Sequence, residues 1–389
     1  MEVVGPTGVP GADVEVLGTR AEPSGVVSRR AFLGTVGAAG LTGVAGCGSS
    51  GAPAAAPAPA APGPAVVRQA TIVRPAPAST LLVAYDVEAP DRAGLAEVLH
   101  AVTARVGGAA ATVAVGASLF DERYGLAAPR LLTPMPAFRA DVLDPDWCHG
   151  DLLVQVSADD PEPPAVLLGR PVPGLRERWR VEGFHPPGGS GVRNLFGFRE
   201  GAGNPDPTDA GLMDRLVWVQ PGDDEPAWCV GGSYQVVRLI RLAMPTWDAE
   251  PVAEQERVFG RAKVGGAPLG RNHEADEPDF AADPDGRVIS LDAHIRRANP
   301  RTPESERHRI LRRGYSYRRT GTGAGGEDVG QIFVCFQRDV ERGFAAIQRR
   351  LAGEALERYT LPFGGGYYFL LPGGTGAGDY LGRAMIEAT

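Results

Sequence analysis

The chain has four cysteines in 389 residues, Cys47, Cys148, Cys229 and Cys335, and no two of them form a CxxC pair. That spacing excludes a zinc ribbon and supplies no disulfide framework. Cys335 lies in the apolar run Ile332-Phe333-Val334-Cys335-Phe336 and reads as a buried small hydrophobe rather than a reactive thiol. A cationic surplus is missing too. The formal net charge is −8 and the pI is near 5.4, so phosphate backbones find no broad basic surface and nucleic acid is not an expected partner. Long apolar runs are also lacking. The stretch from Ala31 to Gly46 is too short and too glycine-rich for a stable membrane-spanning helix.

Hydrophobic residues make up 43% of the chain, enough to fill the cores of two ordinary domains. The 53 glycines and 35 prolines are partly local, because residues 51–65 form a Pro/Ala tether that cannot build a core. Ahead of it, Ser28-Arg29-Arg30-Ala31-Phe32-Leu33 and the weakly apolar stretch that follows read as a twin-arginine export signal. That route carries folded proteins and suits a cofactor inserted before export. Val44-Ala45-Gly46-Cys47 has the outline of a lipobox, with Val where Leu is usual, so a lipid anchor at Cys47 and an unmodified leader both stay open. The 27 residues before Ser28 are long for such a leader, and a start codon downstream of Met1 is a further alternative. The expected layout is a leader over 1–47, a linker over 48–67, one domain over 68–231 and a second over 232–389. Export would place the protein in the periplasm or outside the cytoplasm, free or anchored to the membrane.

Leu81–Val87 reads as a strand, and Leu95, Val98, Leu99, Val102 and Val106 stand at helical i, i+3, i+4 spacing behind it. Leu152–Val156 and Leu216–Val219 read as further strands. The second unit repeats the pattern. Tyr234–Leu242 is a predicted strand, Thr246 is the predicted cap of a helix carrying Trp247, Val252 and Val258, and a Gly/Asp/Pro-rich connection runs to about Ile289. Ile332–Phe336 and Tyr367–Leu371 are predicted strands around an amphipathic helix over Phe344–Leu351. The fold class is α+β, with two β-α-β-β-α-β halves of the ferredoxin-like kind.

Three strings carry chemistry. In the first, His294 precedes Arg296, Arg297 and an Asn299-Pro300 helix stop; the imidazole suits an axial haem ligand and the guanidinium groups suit haem propionates, or the group is a half-exposed histidine among solvated charges. In the second, Gly197-Phe198-Arg199-Glu200-Gly201 frames a carboxylate with glycines that let backbone approach a ligand, or is a turn-rich linker. In the third, Leu311-Arg312-Arg313-Gly314-Tyr315-Ser316-Tyr317 brings a basic pair into an aromatic strand, or is a strand edge protected by charge. No single string decides between its readings.

Together the three strings resemble the dye-decolourising haem peroxidases, in the twin-arginine-exported branch also described as deferrochelatase/peroxidase, over about residues 68–385. The family's G-x-x-D-G motif matches Gly197 to Gly201, its proximal histidine matches His294 and its distal arginine matches Arg312. Phe333 to Phe344 and Pro362 to Phe369 also look like this branch. The resemblance implies a dimeric α+β barrel of two ferredoxin-like halves and one haem b per chain. It further implies that His294 binds iron while Glu200 and Arg312 work the peroxide side, reducing hydrogen peroxide through a ferryl state at the expense of a dye-like, phenolic or other donor. One departure stands out: Glu200 replaces the family's Asp and is longer by one methylene. Asp339 is the expected hydrogen-bond partner of His294, or else it caps the helix that follows. Trp247, Tyr315 and Tyr317 are candidate electron relays to bulky donors, or plain core. The twin-arginine machinery, a homo-oligomer and iron-uptake proteins are expected partners. The rival readings are a haem-handling envelope protein that releases iron with little turnover, a chlorite-dismutase-like haem protein, and a lipoprotein without haem.

Overall fold

The computed structural model describes residues 66–187, 191–320, 327–376 and 378–388. The export signal, the tether and Cys47 lie outside the described residues.

The first half runs β1 (Ser79–Val87), a helix over Arg92–Val106, β2 (Ala110–Gly116), β3 (Leu152–Ala158), a helix over Glu162–Leu168 and β4 (Leu175–Phe184). Its strands are antiparallel in the order β2-β3-β1-β4. The Asp91 side chain accepts the Gly94 N–H and starts the long helix, which buries the five apolar residues that the spacing singled out. The second half runs β5 (Ser233–Leu242), short helices over Met244–Asp248 and Val252–Phe259, β6 (Leu311–Arg312), β7 (Tyr315–Thr320), β8 (Glu327–Gln337), a helix over Ala346–Leu351 and β9 (Thr360–Leu370). Here the order is β7-β8-β5-β9, with β6 also on β8. Each half therefore has the ferredoxin-like arrangement expected from the sequence.

Two seams join the halves. β9 pairs with β2 through Ala114↔Leu370, Val115↔Phe369 and Gly116↔Tyr368, and β4 meets β7 at Phe184↔Ser316. Because β5 also pairs with β8, eight strands close into a ring. Leu82, Ala84 and Leu153 of the first half share one buried cluster with Val237, Leu239, Val334 and Phe336 of the second. Among the described residues, no helix is long and apolar enough to cross a membrane.

Three local expectations differ from the structure. The Leu216–Val219 run is not a strand: Asp209 caps a helix over Ala210–Leu216, and the run buries its apolar side chains around that helix's end. A short apolar run has the same burial in either state, so its pattern does not discriminate. Thr246 caps nothing; it lies inside Met244–Asp248, and Pro251 opens a separate helix. The helix at Phe344 starts only at Ala346, after a wide turn over Glu341–Ala345.

A loop of the first half is fastened to the second by a buried ion pair. Both Arg238 Nη atoms donate to the Asp141 carboxylate, and the two side chains are 2% and 1% exposed. Asp141→Ala leaves the guanidinium without its counter-charge, and a loss of about 3–5 kcal/mol is expected, read as a lower denaturant midpoint at unchanged m-value.

Candidate functional site

The loop Arg193–Asn204 builds one wall of the site. Asn194 N–H donates to Phe198 O (3.0 Å), Gly197 N–H to Asn194 O (2.9 Å) and Glu200 N–H to Val192 O (2.8 Å), so the segment folds back as a tight hairpin. The glycine frame has a steric cause: Gly197 and Gly201 have φ of +88° and +86°, and a Cβ on Gly197 would stand 2.6 Å from Lys263 Cε. Arg193 fastens the hairpin from behind, its Nη1 donating to Gly197 O (2.8 Å) and Lys263 O (2.7 Å) and its Nη2 to Val264 O (2.7 Å). Phe196 and Phe198 bury their rings against Trp247 and Phe259.

Glu200 is brought forward with one oxygen held. Its Oε1 accepts from Asn194 Nδ2 (2.9 Å) and Gln331 Nε2 (3.1 Å). Arg312 sits on β6 with its Nε and main-chain N–H on Asn204 Oδ1 (3.2 Å each) and its Nη2 on Ala202 O (2.6 Å). His294 is the first residue of a helix over His294–Ala298, and its Nδ1 stands 2.7 Å from Glu354 Oε2. An ionised carboxylate can only accept, so Nδ1 carries a proton, and the neutral imidazole then keeps its lone pair on Nε2.

All three side chains line one cavity, which encloses about 1890 Å³ of non-atom space, part of it open to solvent. Its apolar wall includes Ile240, Phe259, Phe333, Phe344 and Leu356; Arg261, Arg301 and Arg309 line it as well. Arg309 Nε is buried without a hydrogen-bond partner, and burial pushes the pKa of Arg261 down, with Arg312 and Arg301 adding like charge. Among the described residues no three His, Cys, Asp or Glu side chains converge as metal ligands. An imidazole nitrogen beside broad apolar walls and several guanidinium groups fits haem, which needs an axial ligand, flat apolar contact and cations for its propionates.

Comparison with known proteins agrees with this geometry. The C-terminal domain of the Dyp-type peroxidases matches residues 191–375 and the N-terminal domain matches residues 108–170. The chain is 45% identical over 362 residues to the deferrochelatases of Escherichia coli (strain K12) and Shigella flexneri, covering 82% of this chain and 86% of each relative. This chain belongs to the Dyp-type peroxidase family. A Dyp-type peroxidase from Cellulomonas bogoriensis superposes at TM-score 0.75 with 36% identity, covering 84% of this chain and all of that one. Ferric DtpA from Streptomyces lividans follows at 0.71 with 31% identity, covering 80% and 93%. As a Dyp-type peroxidase of the deferrochelatase branch, the protein is an oxidoreductase, and the cavity is built for the family's haem.

Several assignments made from the sequence need correction in this Dyp-type peroxidase. Asp339 does not reach His294: its Oδ1 accepts the N–H groups of Glu341 and Arg342 (2.9 Å each), so it caps the turn that follows, and Glu354 takes the role assigned to it. Arg296 and Arg297 do not line the cavity. Arg296 is tied to Asp283 and to Ile289 O, and Arg297 to Ala352 O and Arg350 O. Besides Arg312, the lining takes guanidinium groups from Arg261, Arg301 and Arg309 and from Arg139, Arg199 and Arg238, of which only Arg301 adjoins His294 in sequence. Tyr315 stacks on His185 at 4.3 Å and Tyr317 donates to Asp328 (3.1 Å); neither reaches the cavity wall. Trp247 is fully buried one ring away from it: its ring centroid lies 5.7 Å from that of Phe259, which is itself 6.0 Å from His294. Glu354, Asn204 and Gln331 were not singled out from the sequence. Asn204 stands three residues after the glycine frame and Gln331 one residue before the Ile332–Phe336 run, but Glu354 is 60 residues from its partner and left no local signal.

Proposed function

We propose that this protein uses haem b to reduce hydrogen peroxide while oxidising dye-like, phenolic or other electron donors, with Glu200, Arg312 and His294 in the named roles. The observation that carries the reading is that, among the described residues, each of the three keeps one functional atom uncommitted at the same cavity: Glu200 Oε2, Arg312 Nη1 and His294 Nε2. Haem, when bound, supplies the iron that takes a peroxide oxygen and the electrons that break the O–O bond. Glu200 Oε2 takes the peroxide proton and returns it to the departing oxygen, which leaves as water. Arg312 Nη1 donates to the negative charge that develops as the bond stretches. The Nδ1–H bond to Glu354 fixes the imidazole's orientation and makes Nε2 a stronger donor to iron. The test is rapid mixing of the haem-loaded protein with peroxide: fast changes in the haem spectrum that slow in Arg312→Leu support the reading, and equal rates in the two proteins reject it.

The similarity to deferrochelatases favours a second reading, release of iron from haem with little peroxide turnover. It needs His294 and the cavity but not the distal pair. Iron release that is unchanged in Glu200→Gln and Arg312→Leu, in a protein inert to peroxide, would select it.

Bulky donors too large for the cavity are oxidised, in this proposal, through Trp247. Its ring centroid stands 4.9 Å from that of Tyr359, whose hydroxyl donates to Glu250 (2.7 Å); burial first, and then this carboxylate, push the phenol pKa up to about 12. Trp247→Phe is expected to slow dye oxidation while leaving the reaction with peroxide unchanged. An unchanged dye rate removes Trp247 from the route.

Export by the twin-arginine route to the periplasm or beyond is part of the same proposal. It is supported by Ser28 to Leu33. Replacing Arg29 and Arg30 with lysine and finding the protein still outside the cytoplasm would contradict it; mass spectrometry of the mature N-terminus decides whether Cys47 is lipidated.

A further inference from the structure

We propose that Gln331 and Asn204 are positioning residues that cross-brace the site, Gln331 holding from the sheet the functional side chain of the loop and Asn204 holding from the loop the functional side chain of the sheet. The inference rests on the roles given above to Glu200 and Arg312. Glu200 comes from the loop that precedes β5, whereas Gln331 belongs to β8, registered between Ile240 of β5 and Ser316 of β7. Its amide crosses to Glu200 Oε1 at 3.1 Å. Asn204 makes the reverse connection. It lies in the loop, and its side chain holds Arg312 of β6 by three bonds: Nδ2 donates to Arg312 O (2.9 Å), and Oδ1 accepts the Arg312 N–H and Nε (3.2 Å each).

The donor pattern around Glu200 has a chemical consequence. Asn194 Oδ1 accepts the Phe198 N–H (3.1 Å), so Asn194 must present its NH₂ to Glu200, and Gln331 presents another. Two N–H groups therefore occupy Oε1. A proton placed there would face both donors, which leaves Oε2 as the oxygen that takes and returns protons. The same bracing explains how a glutamate works where the family has aspartate, because the longer side chain is held at one oxygen and cannot swing. Restoring the family's residue should therefore not help: Glu200→Asp withdraws the carboxyl group by one C–C bond, about 1.5 Å, and leaves amides placed at 2.9 and 3.1 Å out of hydrogen-bond range.

The test compares haem-loaded unmodified protein with Gln331→Leu, Asn204→Ala, Glu200→Asp, Glu200→Gln and the Glu200→Gln/Gln331→Leu pair. Haem content and the folded-state circular dichroism are checked for each. The rate constant for peroxide is expected to fall about ten- to a hundredfold in Gln331→Leu and in Asn204→Ala, with the KM for the donor unchanged. Glu200→Asp should be slower than the unmodified protein, and the pair no slower than Glu200→Gln alone. A readout independent of turnover is isotope-edited infrared spectroscopy of the haem-free protein, where the Glu200 carboxylate band should shift in Gln331→Leu. If Glu200→Gln is slow but Gln331→Leu reacts normally, or adds its full effect in the pair, or leaves the band unmoved, the bracing is overturned and the proposed function stands. If Glu200→Gln itself reacts at the unmodified rate, the proposed function fails and the bracing with it.

Discussion

His294→Ala protein, purified after haem-replete expression, is expected to show almost no Soret absorbance. Of the two imidazoles that line the cavity among the described residues, His308 accepts the Arg350 guanidinium at Nδ1 and so carries its proton on Nε2, whereas His294 keeps Nε2 for a ligand bond, and no cluster of alternative ligands stands by to replace it. The substitution also strips Glu354 of its partner. That carboxylate is 9% exposed, so its lost bond should lower stability by about 1–3 kcal/mol, visible in the denaturant midpoint of the haem-free protein. Glu354→Gln provides the contrast: the imidazole remains, its orientation is held less firmly, and haem affinity should drop about 10- to 100-fold rather than vanish. A Soret band of full height in His294→Ala would show that iron is held elsewhere.

The second large effect is on the reaction with peroxide. Glu200→Gln keeps the shape of the side chain and removes its capacity to take a proton, so the rate constant should fall by about 10²–10⁴. Arg312→Leu removes the donor aimed at the developing charge and should cost about 10²–10³. Both act on the same bond-breaking event, so the double variant should fall short of the product of the two factors. Stopped-flow mixing at fixed haem content measures all three rates. A Glu200→Gln rate within twofold of the unmodified protein would transfer proton handling to another group.

The sequence carried the three central residues because each sits in a short string with its own steric or chemical logic. Glycines at positive φ frame Glu200, a helix stop follows His294, and a strand carries Arg312. What stayed hidden depends on three-dimensional neighbours. Arg296 and Arg297 look like propionate ligands because they adjoin His294 in sequence, but two helical steps of about 100° each turn Arg296 away toward Asp283, and Arg297 is claimed by the carbonyls of Ala352 and Arg350. Asp339 has the right chemistry but sits before a turn whose free N–H groups claim it. Glu354 reaches His294 only because the end of the helix over Ala346–Leu351 packs against the helix over His294–Ala298. The fold was legible at the level of two α+β halves, since periodicity marks strands and helices. Ring closure came only with the family resemblance, because the seam between β9 and β2 joins residues some 250 positions apart, and no local pattern encodes it.

That seam bears on how the molecule is made. β9 is the last strand in sequence, and it pairs on one side with β5 and on the other with β2. Until it leaves the ribosome, both neighbours hold an open edge, the kind of surface that recruits other chains. Synthesis must therefore pass Leu370 before the protein is safe from sticking to its own copies, and a nascent chain stalled before Thr360 is a candidate for chaperone capture rather than for a functional fragment.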